Sequence, residues 1–259
     1  MIPLADRATA LLDLHTAPEL LTLVNVWDVA SAKAVAALPG TRAIATASHS
    51  VAASLGYPDG EQVPLDLAIE TVGRIAAAVD LPVTADLEAG YGDPGETVRR
   101  AIGVGVVGGN VEDRVAPLRE AVAAVEAVVR AGEAEGVPFV LNARTDAFLL
   151  AGDRDPAAVL ADAIERGRAF LDAGAPVVFV PGRLDEPTVE ALVEAFGPRK
   201  LTVIGVPGSP PLETLERLGV ARVSYGPFSQ RVALTALTDF ATDVAAGRGA
   251  VPASTRSFD

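Results

Sequence analysis

Short apolar segments alternate with longer amphipathic segments along the whole chain. The short segments are rich in valine, isoleucine and alanine, and glycine, proline or charged residues bound them, as is typical of buried parallel strands. Eight strands are predicted: Leu21–Val26, Arg42–Ala47, Pro82–Glu88, Val106–Glu112, Phe139–Arg144, Pro176–Pro181, Lys200–Val206 and Ala221–Tyr225. Strands that alternate with helices in this way predict an α/β fold, a single (β/α)₈ TIM-type barrel over residues 1–259.

Amphipathic segments between these strands predict helices. The clearest ones are Leu67–Val79, Gly95–Val104, Leu118–Gly132, Pro156–Ala173, Glu186–Phe196 and Leu212–Leu218. Asp155 before Pro156 and Asp93 before Pro94 have the sequence of an N-cap followed by proline at the first helical position. A dinucleotide-binding fold would need a glycine-rich turn after the first strand, and Asn25–Val29 is not one.

The longest segment without periodicity is Ser48–Pro64, after the second strand. It exceeds the usual length of a connection between a strand and a helix, so it is either functional or a disordered excursion. Gly56, Pro58 and Gly60 favour an ordered loop with several turns.

Composition narrows the classes of function. The chain has 259 residues, half of them hydrophobic, and no cysteine, which excludes disulfides, thiolate zinc sites and a cysteine nucleophile. Its formal charge of −13 argues against nucleic-acid binding. An anionic substrate would need a cation and a local arginine to reverse the field. With neither a signal-peptide pattern nor an apolar run that could span a bilayer, we expect a cytoplasmic protein without a membrane partner.

Strand alternation places one group of polar residues inside the predicted barrel. In the third strand, Thr84, Asp86 and Glu88 share the interior face. The same parity turns inward a set near the carboxyl ends of other strands: Asn25, Asn110, Glu112, Asn142 and Arg144. Active sites of such barrels are built at this end. The last three strands supply almost nothing comparable, so the polar cluster is expected on one side of the barrel.

The acids of this cluster suit a hard, oxygen-preferring ion such as Mg²⁺, which takes one or two carboxylates and keeps waters. Arg144 can bind a substrate carboxylate with two parallel hydrogen bonds. The alternative is an internal ion-pair network between Arg144 and the acids that serves no ligand.

The two histidines differ in their expected roles. His15 falls in an early amphipathic stretch, and we expect it at the surface. His49 follows the second strand, within reach of the proposed site. It is either an acid, a base or a donor of a backbone hydrogen bond, or an ordinary loop histidine.

With these residues placed, the chain resembles the isocitrate lyase/phosphoenolpyruvate mutase superfamily. Five segments carry the resemblance, in the same order and spacing, over about residues 20 to 230: Asn25–Ala32, Ala52–Gly60, Thr84–Gly92, Val111–Arg114 and Asn142–Ala147. The most specific of them is Asp-x-Glu-x-Gly-Tyr-Gly, which begins at Asp86.

The resemblance implies a barrel whose last helix is swapped between the subunits of a homodimer or homotetramer. It further implies a role for each site residue. Asp86 is the direct Mg²⁺ ligand, Glu88 and Glu112 hold the metal through water, and Asp59 completes this shell. Arg144 binds the substrate carboxylate, and the backbone near Ser48 and His49 receives the enolate oxygen.

One departure from the superfamily pattern restricts the activity. Members that cleave isocitrate or methylisocitrate have a gating loop with a catalytic cysteine after the fourth strand, whereas Glu112–Arg119 is short and has neither cysteine nor histidine. Mutases have a longer loop here. We therefore expect a Mg²⁺-dependent enzyme that acts on a small 2-oxo acid through an enolate, with oxaloacetate decarboxylation as the first choice. The alternatives are a lyase or hydrolase of another 2-oxo or 2-hydroxy dicarboxylate or of a phosphonate, and a non-catalytic binding protein.

Overall fold

A parallel β-barrel forms the centre of the protein. The computed structural model describes residues 2–256. Its strands are β1 (Leu21–Leu23), β2 (Asn25–Val26), β3 (Ile44–Thr46), β4 (Val83–Asp86), β5 (Gly108–Glu112), β6 (Val140–Arg144), β7 (Val177–Phe179), β8 (Leu201–Ile204) and β9 (Arg222–Ser224). They pair in parallel in the order β1-β9-β8-β7-β6-β5-β4-β3-β2. The predicted α/β barrel is confirmed.

The two ends of this sheet are halves of one strand. β1 pairs with β9, β2 pairs with β3, and only Val24 separates them along the chain. The ring of eight predicted strands therefore closes at this interruption. Asn25 strengthens the closure, because its Oδ1 accepts hydrogen bonds from the backbone of Tyr225 and Gly226 and its Nδ2 donates to the carbonyl of Thr46.

Helices surround the barrel. Within residues 2–256 they are α1 (Leu4–Thr16), α2 (Val29–Ala36), α3 (Ser48–Leu55), α4 (Leu65–Ala77), α5 (Pro94–Gly103), α6 (Leu118–Ala134), α7 (Pro156–Asp172), α8 (Glu186–Phe196), α9 (Leu212–Leu218) and α10 (Phe228–Ala245). All six predicted helices are present, with ends shifted by at most two residues. Asp155 and Asp93 cap α7 and α5 by accepting backbone hydrogen bonds, as predicted.

The segment Ser48–Pro64 is ordered, as its glycines and proline indicated, but about half of it is a helix and not a loop. Its first eight residues form α3, which ends at Gly56 in the left-handed conformation. The rest, up to Pro64, is a loop before α4. The hydrophobic pattern did not predict this helix because it is short and half of its residues are polar: Ser48, His49, Ser50 and Ser54.

The expectation that His15 lies at the surface was wrong. His15 is 1% exposed, on the face of α1 that also buries Ala8 and Leu11. Its Nδ1 lies 2.8 Å from the carbonyl of Leu11. Burial, together with the positive charge of Arg222, lowers the pKa of His15 to about 3. The imidazole is therefore neutral, and it donates from Nδ1 because a carbonyl can only accept.

The last helix packs against the barrel only at its start. Gln230 is buried and donates to the carbonyl of Ser50, whereas every described residue after it is exposed. Along this stretch α10 exposes a set of apolar side chains: Val232, Leu234, Leu237, Phe240 and Val244. No helix in the described part of the chain is both long and apolar enough to cross a membrane.

Candidate active site

A cavity of about 440 Å³ opens at the carboxyl ends of the strands. Six of the predicted site residues line it: Asn25, Ser48, His49, Asp59, Asp86 and Arg144. Asn110, predicted to face inward, lines it as well. The other wall is apolar and comes mainly from β7, β8 and the segments after them: Phe179, Pro181, Ile204, Val206, Pro227 and Phe228. The cavity thus has a polar and an apolar side.

Asp86 is held by the first residue of α3. Its Oδ2 accepts two hydrogen bonds from Ser48, at 3.1 Å from the backbone nitrogen and 3.0 Å from Oγ. Its other oxygen, Oδ1, is buried and has no hydrogen-bond partner among residues 2–256. A buried carboxylate oxygen without a partner is costly, so this atom calls for a cation or a donor that binds there.

Glu88 lies beyond the end of β4, so strand alternation does not place it. Its backbone is left-handed, with φ of 53°, and its side chain lines a neighbouring cavity of about 20 Å³ together with Asp86 and Tyr91. It accepts hydrogen bonds from the backbone nitrogen of Glu61 and from the Tyr91 hydroxyl. Burial, reinforced by the charges of Asp59 and Asp86, raises the pKa of Glu88 to about 7.

The loop that carries Asp59 is anchored at Glu61. Besides its bond to Glu88, Glu61 accepts a hydrogen bond from the Tyr91 backbone at 2.6 Å and pairs with Arg114 at 3.1 Å. Arg114 also pairs with Glu112 at 3.0 Å and lies 3.8 Å from Glu88. The short segment after β5 thus ties three glutamates together through one guanidinium.

Arg144 lies between two carboxylates. Its guanidinium pairs with Glu112 at 2.8 Å and with Asp146 at 2.7 Å. Burial raises the pKa of Glu112 and of Asp146. Burial alone would lower the pKa of Arg144, but the negative charges of Asp86, Glu112 and Asp146 raise it above the ordinary value. Part of the internal ion-pair network considered above therefore exists. Arg144 nevertheless lines the cavity, whereas Glu112 faces the two arginines.

The donor set fits a magnesium ion held directly by one carboxylate. Within residues 2–256, no three His, Asp or Glu side chains lie close enough together to share one ion. Mg²⁺ does not require such a cage, because it commonly binds one or two carboxylates and keeps several waters. The free Oδ1 of Asp86 supplies one ligand position. Glu88 and Glu112 lie near it, since the charge of Asp86 contributes to the raised pKa of each.

Several charged residues in or near the site were not predicted, and the expectation that the last three strands supply almost nothing comparable was wrong. Arg183, in the segment after β7, lines the cavity, and Arg222 on β9 is fully buried inside the barrel. Asp113 is also buried. It accepts a hydrogen bond from the backbone of Asp146 and pairs with Arg166 at 3.1 Å. A charged residue soon after the end of the predicted strand Pro176–Pro181 was the available signal for Arg183.

Comparison with known proteins identifies the family. The sequence model of the family described as phosphoenolpyruvate phosphomutase matches residues 11–245. An uncharacterised protein of Mycobacterium tuberculosis is 32% identical over 236 residues, which cover 91% of this chain and 88% of that protein. The chain belongs to the isocitrate lyase/phosphoenolpyruvate mutase superfamily. The resemblance inferred from the five sequence segments is confirmed.

Other members of this superfamily show its enzymatic character. Oxaloacetate decarboxylase of Rhodopseudomonas palustris is 29% identical over 205 residues, covering 71% of this chain and 69% of that one. The crystal structure of oxaloacetate acetylhydrolase with oxalate has a TM-score of 0.85 at 26% identity, covering 98% and 92% of the two chains. The relatives are lyases and mutases of the superfamily, which confirms the expectation of a carbon–carbon lyase.

Proposed function

We propose that this protein is a Mg²⁺-dependent enzyme that cleaves a carbon–carbon bond of a small 2-oxo acid, with oxaloacetate decarboxylation as the primary candidate. One observation carries the proposal. Asp86 has one oxygen fixed by Ser48 and the other without a partner, in the wall of a cavity that also holds Arg144. A cation ligand and a carboxylate-binding group side by side are what an α-oxo acid requires.

Mg²⁺ bound at Asp86 would polarise the keto oxygen and stabilise the enolate that forms as the bond breaks. The chain's own residues do the remaining work. Ser48 orients Asp86, and Glu88 and Glu112 would hold the ion through water. Arg144 binds the substrate carboxylate, and Glu112 and Asp146 fix the plane of its guanidinium.

Proton return to the enolate carbon needs a donor other than cysteine, because the chain has none. Decarboxylation tolerates this, since the departing CO₂ requires no acid. His49 lines the cavity, and its Nδ1 is buried without a hydrogen-bond partner in the described residues. Asp59, on the loop anchored at Glu61, lines the same cavity. In the proposed reaction these two residues orient the water that delivers the proton.

We further propose that the protein functions as a homodimer or homotetramer. The apolar side chains of α10 beyond Gln230 are exposed in the single chain, and a second copy of the chain would bury them. That part of α10 does not line the cavity, because the only α10 residue in the described cavity wall is Phe228, the first residue of the helix.

A substrate panel tests the proposed activity. The protein with Mg²⁺ is incubated with oxaloacetate, other 2-oxo acids, 2-hydroxy dicarboxylates and phosphonates, and NMR follows each compound against a control with metal alone. We expect loss of oxaloacetate above the control, abolished by EDTA. Turnover of another panel member instead would replace oxaloacetate as the substrate, and binding without turnover of any member would contradict an enzymatic role.

A further inference from the structure

Arg183 is a positive charge in the cavity that the proposed chemistry does not use. It lies in the segment after β7 and lines the cavity at an exposed position. Among residues 2–256 it forms no ion pair with an acid, unlike Arg144 and Arg114 in the same region. An unpaired arginine at the mouth of a substrate cavity in a chain of charge −13 is available to an anion.

The guanidinium of Arg183 contacts a specific part of the backbone. It lies against the backbone of Gly208, in the segment after β8. A methyl group added at Gly208 would come within 3.0 Å of Nε and of Nη2. Gly208 also has φ of 88°, a conformation that favours glycine. The guanidinium therefore packs closely against the backbone of the segment after β8, and a side chain at position 208 would displace it.

Arg183 and Gly208 lie across the barrel from Asp86. In sheet order β7 is three strands from β4, and β8 is four strands away, which is the opposite side of a ring of eight. On the side of Arg183 the cavity wall is apolar, formed by Phe179, Ile204 and Val206. The cavity therefore has Asp86 and Arg144 on one side, and an apolar wall with a second arginine on the other.

We propose that Arg183 determines substrate specificity by binding the distal carboxylate of a 2-oxo dicarboxylic acid whose carbon chain lies along this apolar wall. This inference rests on the proposed function, because it places the oxo-acid group at Asp86 and Arg144. It predicts two separate gains in affinity. Each methylene against the wall should tighten binding roughly fourfold, and the distal carboxylate should add roughly tenfold at this exposed position.

Binding measurements with matched acids test the role of Arg183. Calorimetry on the Mg²⁺-loaded protein compares oxalate, 2-oxohexanoate and 2-oxoadipate, the last two having the same chain length and differing in the distal carboxylate. We expect 2-oxoadipate to bind roughly tenfold more tightly than 2-oxohexanoate. Arg183→Gln should remove that preference and leave oxalate within twofold, and Arg183→Lys should keep part of it. Arg130→Gln, at an exposed site on α6, is the control and should change nothing.

The outcomes separate this inference from the proposed function. Magnesium-dependent oxalate binding without any preference for 2-oxoadipate would overturn the role of Arg183 alone. A loss of oxalate and 2-oxoadipate affinity to the same extent in Arg183→Gln would also overturn it, because the residue would then act on the oxo-acid end. Absence of magnesium-dependent oxalate binding would contradict the proposed function itself, and the inference with it.

Discussion

Ser48 binds one oxygen of Asp86 twice, through its backbone nitrogen and its hydroxyl, and leaves the other oxygen without a partner in the described residues. The arrangement depends on two elements. β4 delivers the carboxylate at its carboxyl end, and α3 begins at Ser48 directly after β3. The two bonds fix the orientation of the carboxylate, so that Oδ1 is presented for a ligand and does not rotate towards the backbone.

Replacing Ser48 by alanine removes the hydroxyl bond and keeps the backbone bond. A hydrogen bond to a charged group contributes about 1.5–3 kcal/mol, so Ser48→Ala should weaken Mg²⁺ binding by roughly tenfold or more, as measured by calorimetry. Ser54→Ala is the control, because Ser54 lies on the same helix and bonds only to the carbonyl of Val51. Equal Mg²⁺ affinity in both variants would mean that Ser48 does not orient the ligand.

Arg114 should limit the motion of the loop that carries Asp59. Arg114→Gln breaks its ion pairs with Glu61 and Glu112, and because Arg114 is partly exposed the loss of global stability should be below about 1 kcal/mol. Local opening should increase more than global unfolding. Hydrogen exchange of residues 57–63 should therefore become faster, whereas Arg74→Gln, which breaks an exposed pair on α4, should leave it unchanged. Unaltered exchange in Arg114→Gln would show that Tyr91 and Glu88 alone hold the loop.

His15 should make the protein less stable in mild acid. Its pKa is lowered to about 3 in the folded state and is 6.5 in the unfolded state, so between these values the unfolded chain binds one proton more. The stability due to neutral His15 is fully present above pH 6.5 and falls by about 1.4 kcal/mol per pH unit below it.

Urea unfolding at pH 7, 6 and 5 measures this slope. In His15→Gln the free energy of unfolding should fall less steeply with decreasing pH, by up to that amount per unit. Parallel slopes for the two proteins would show that His15 titrates normally in the folded state.

The exposed apolar face of α10 should mediate self-association. Leu237 is 60% exposed in the single chain, and Leu237→Glu places a charge in the face that a second copy would cover. Light scattering after gel filtration should give the mass of a dimer or tetramer for the wild type and a smaller mass for the variant. Leu38→Glu, at another exposed leucine, should keep the wild-type mass. A monomeric wild type at micromolar concentration would refute the proposed assembly.

Much of the barrel could be predicted because its strands are buried on both faces and therefore stand out as short apolar runs. Alternation within β4, β5 and β6 also predicted which side chains face inward, so Asp86, Asn110 and Arg144 were found together at the cavity. Alternation does not extend to Glu88, because β4 ends at Asp86 and Glu88 has a left-handed backbone, so its position could not be derived in this way.

Residues whose role depends on distant partners could not be found in this way. Arg183 gains its position from Gly208, which is separated from it by a whole helix, and Asp113 gains its role from Arg166 on α7. His15 lies on a helix that looks amphipathic and solvent-facing until the barrel is assembled over it. Local periodicity contains no information about any of these contacts.

The most direct test of the proposed site is the rate of oxaloacetate decarboxylation by the wild type and by Asp86→Asn, each with Mg²⁺ and with EDTA. Asparagine keeps the shape of the side chain and an oxygen for Ser48 but removes the charge. We predict magnesium-dependent turnover by the wild type, and in Asp86→Asn a rate reduced at least a hundredfold, roughly 3 kcal/mol of transition-state stabilisation, with an unchanged unfolding curve. Turnover by Asp86→Asn at the wild-type rate, or turnover by the wild type that EDTA does not affect, would contradict a metal-dependent site at Asp86.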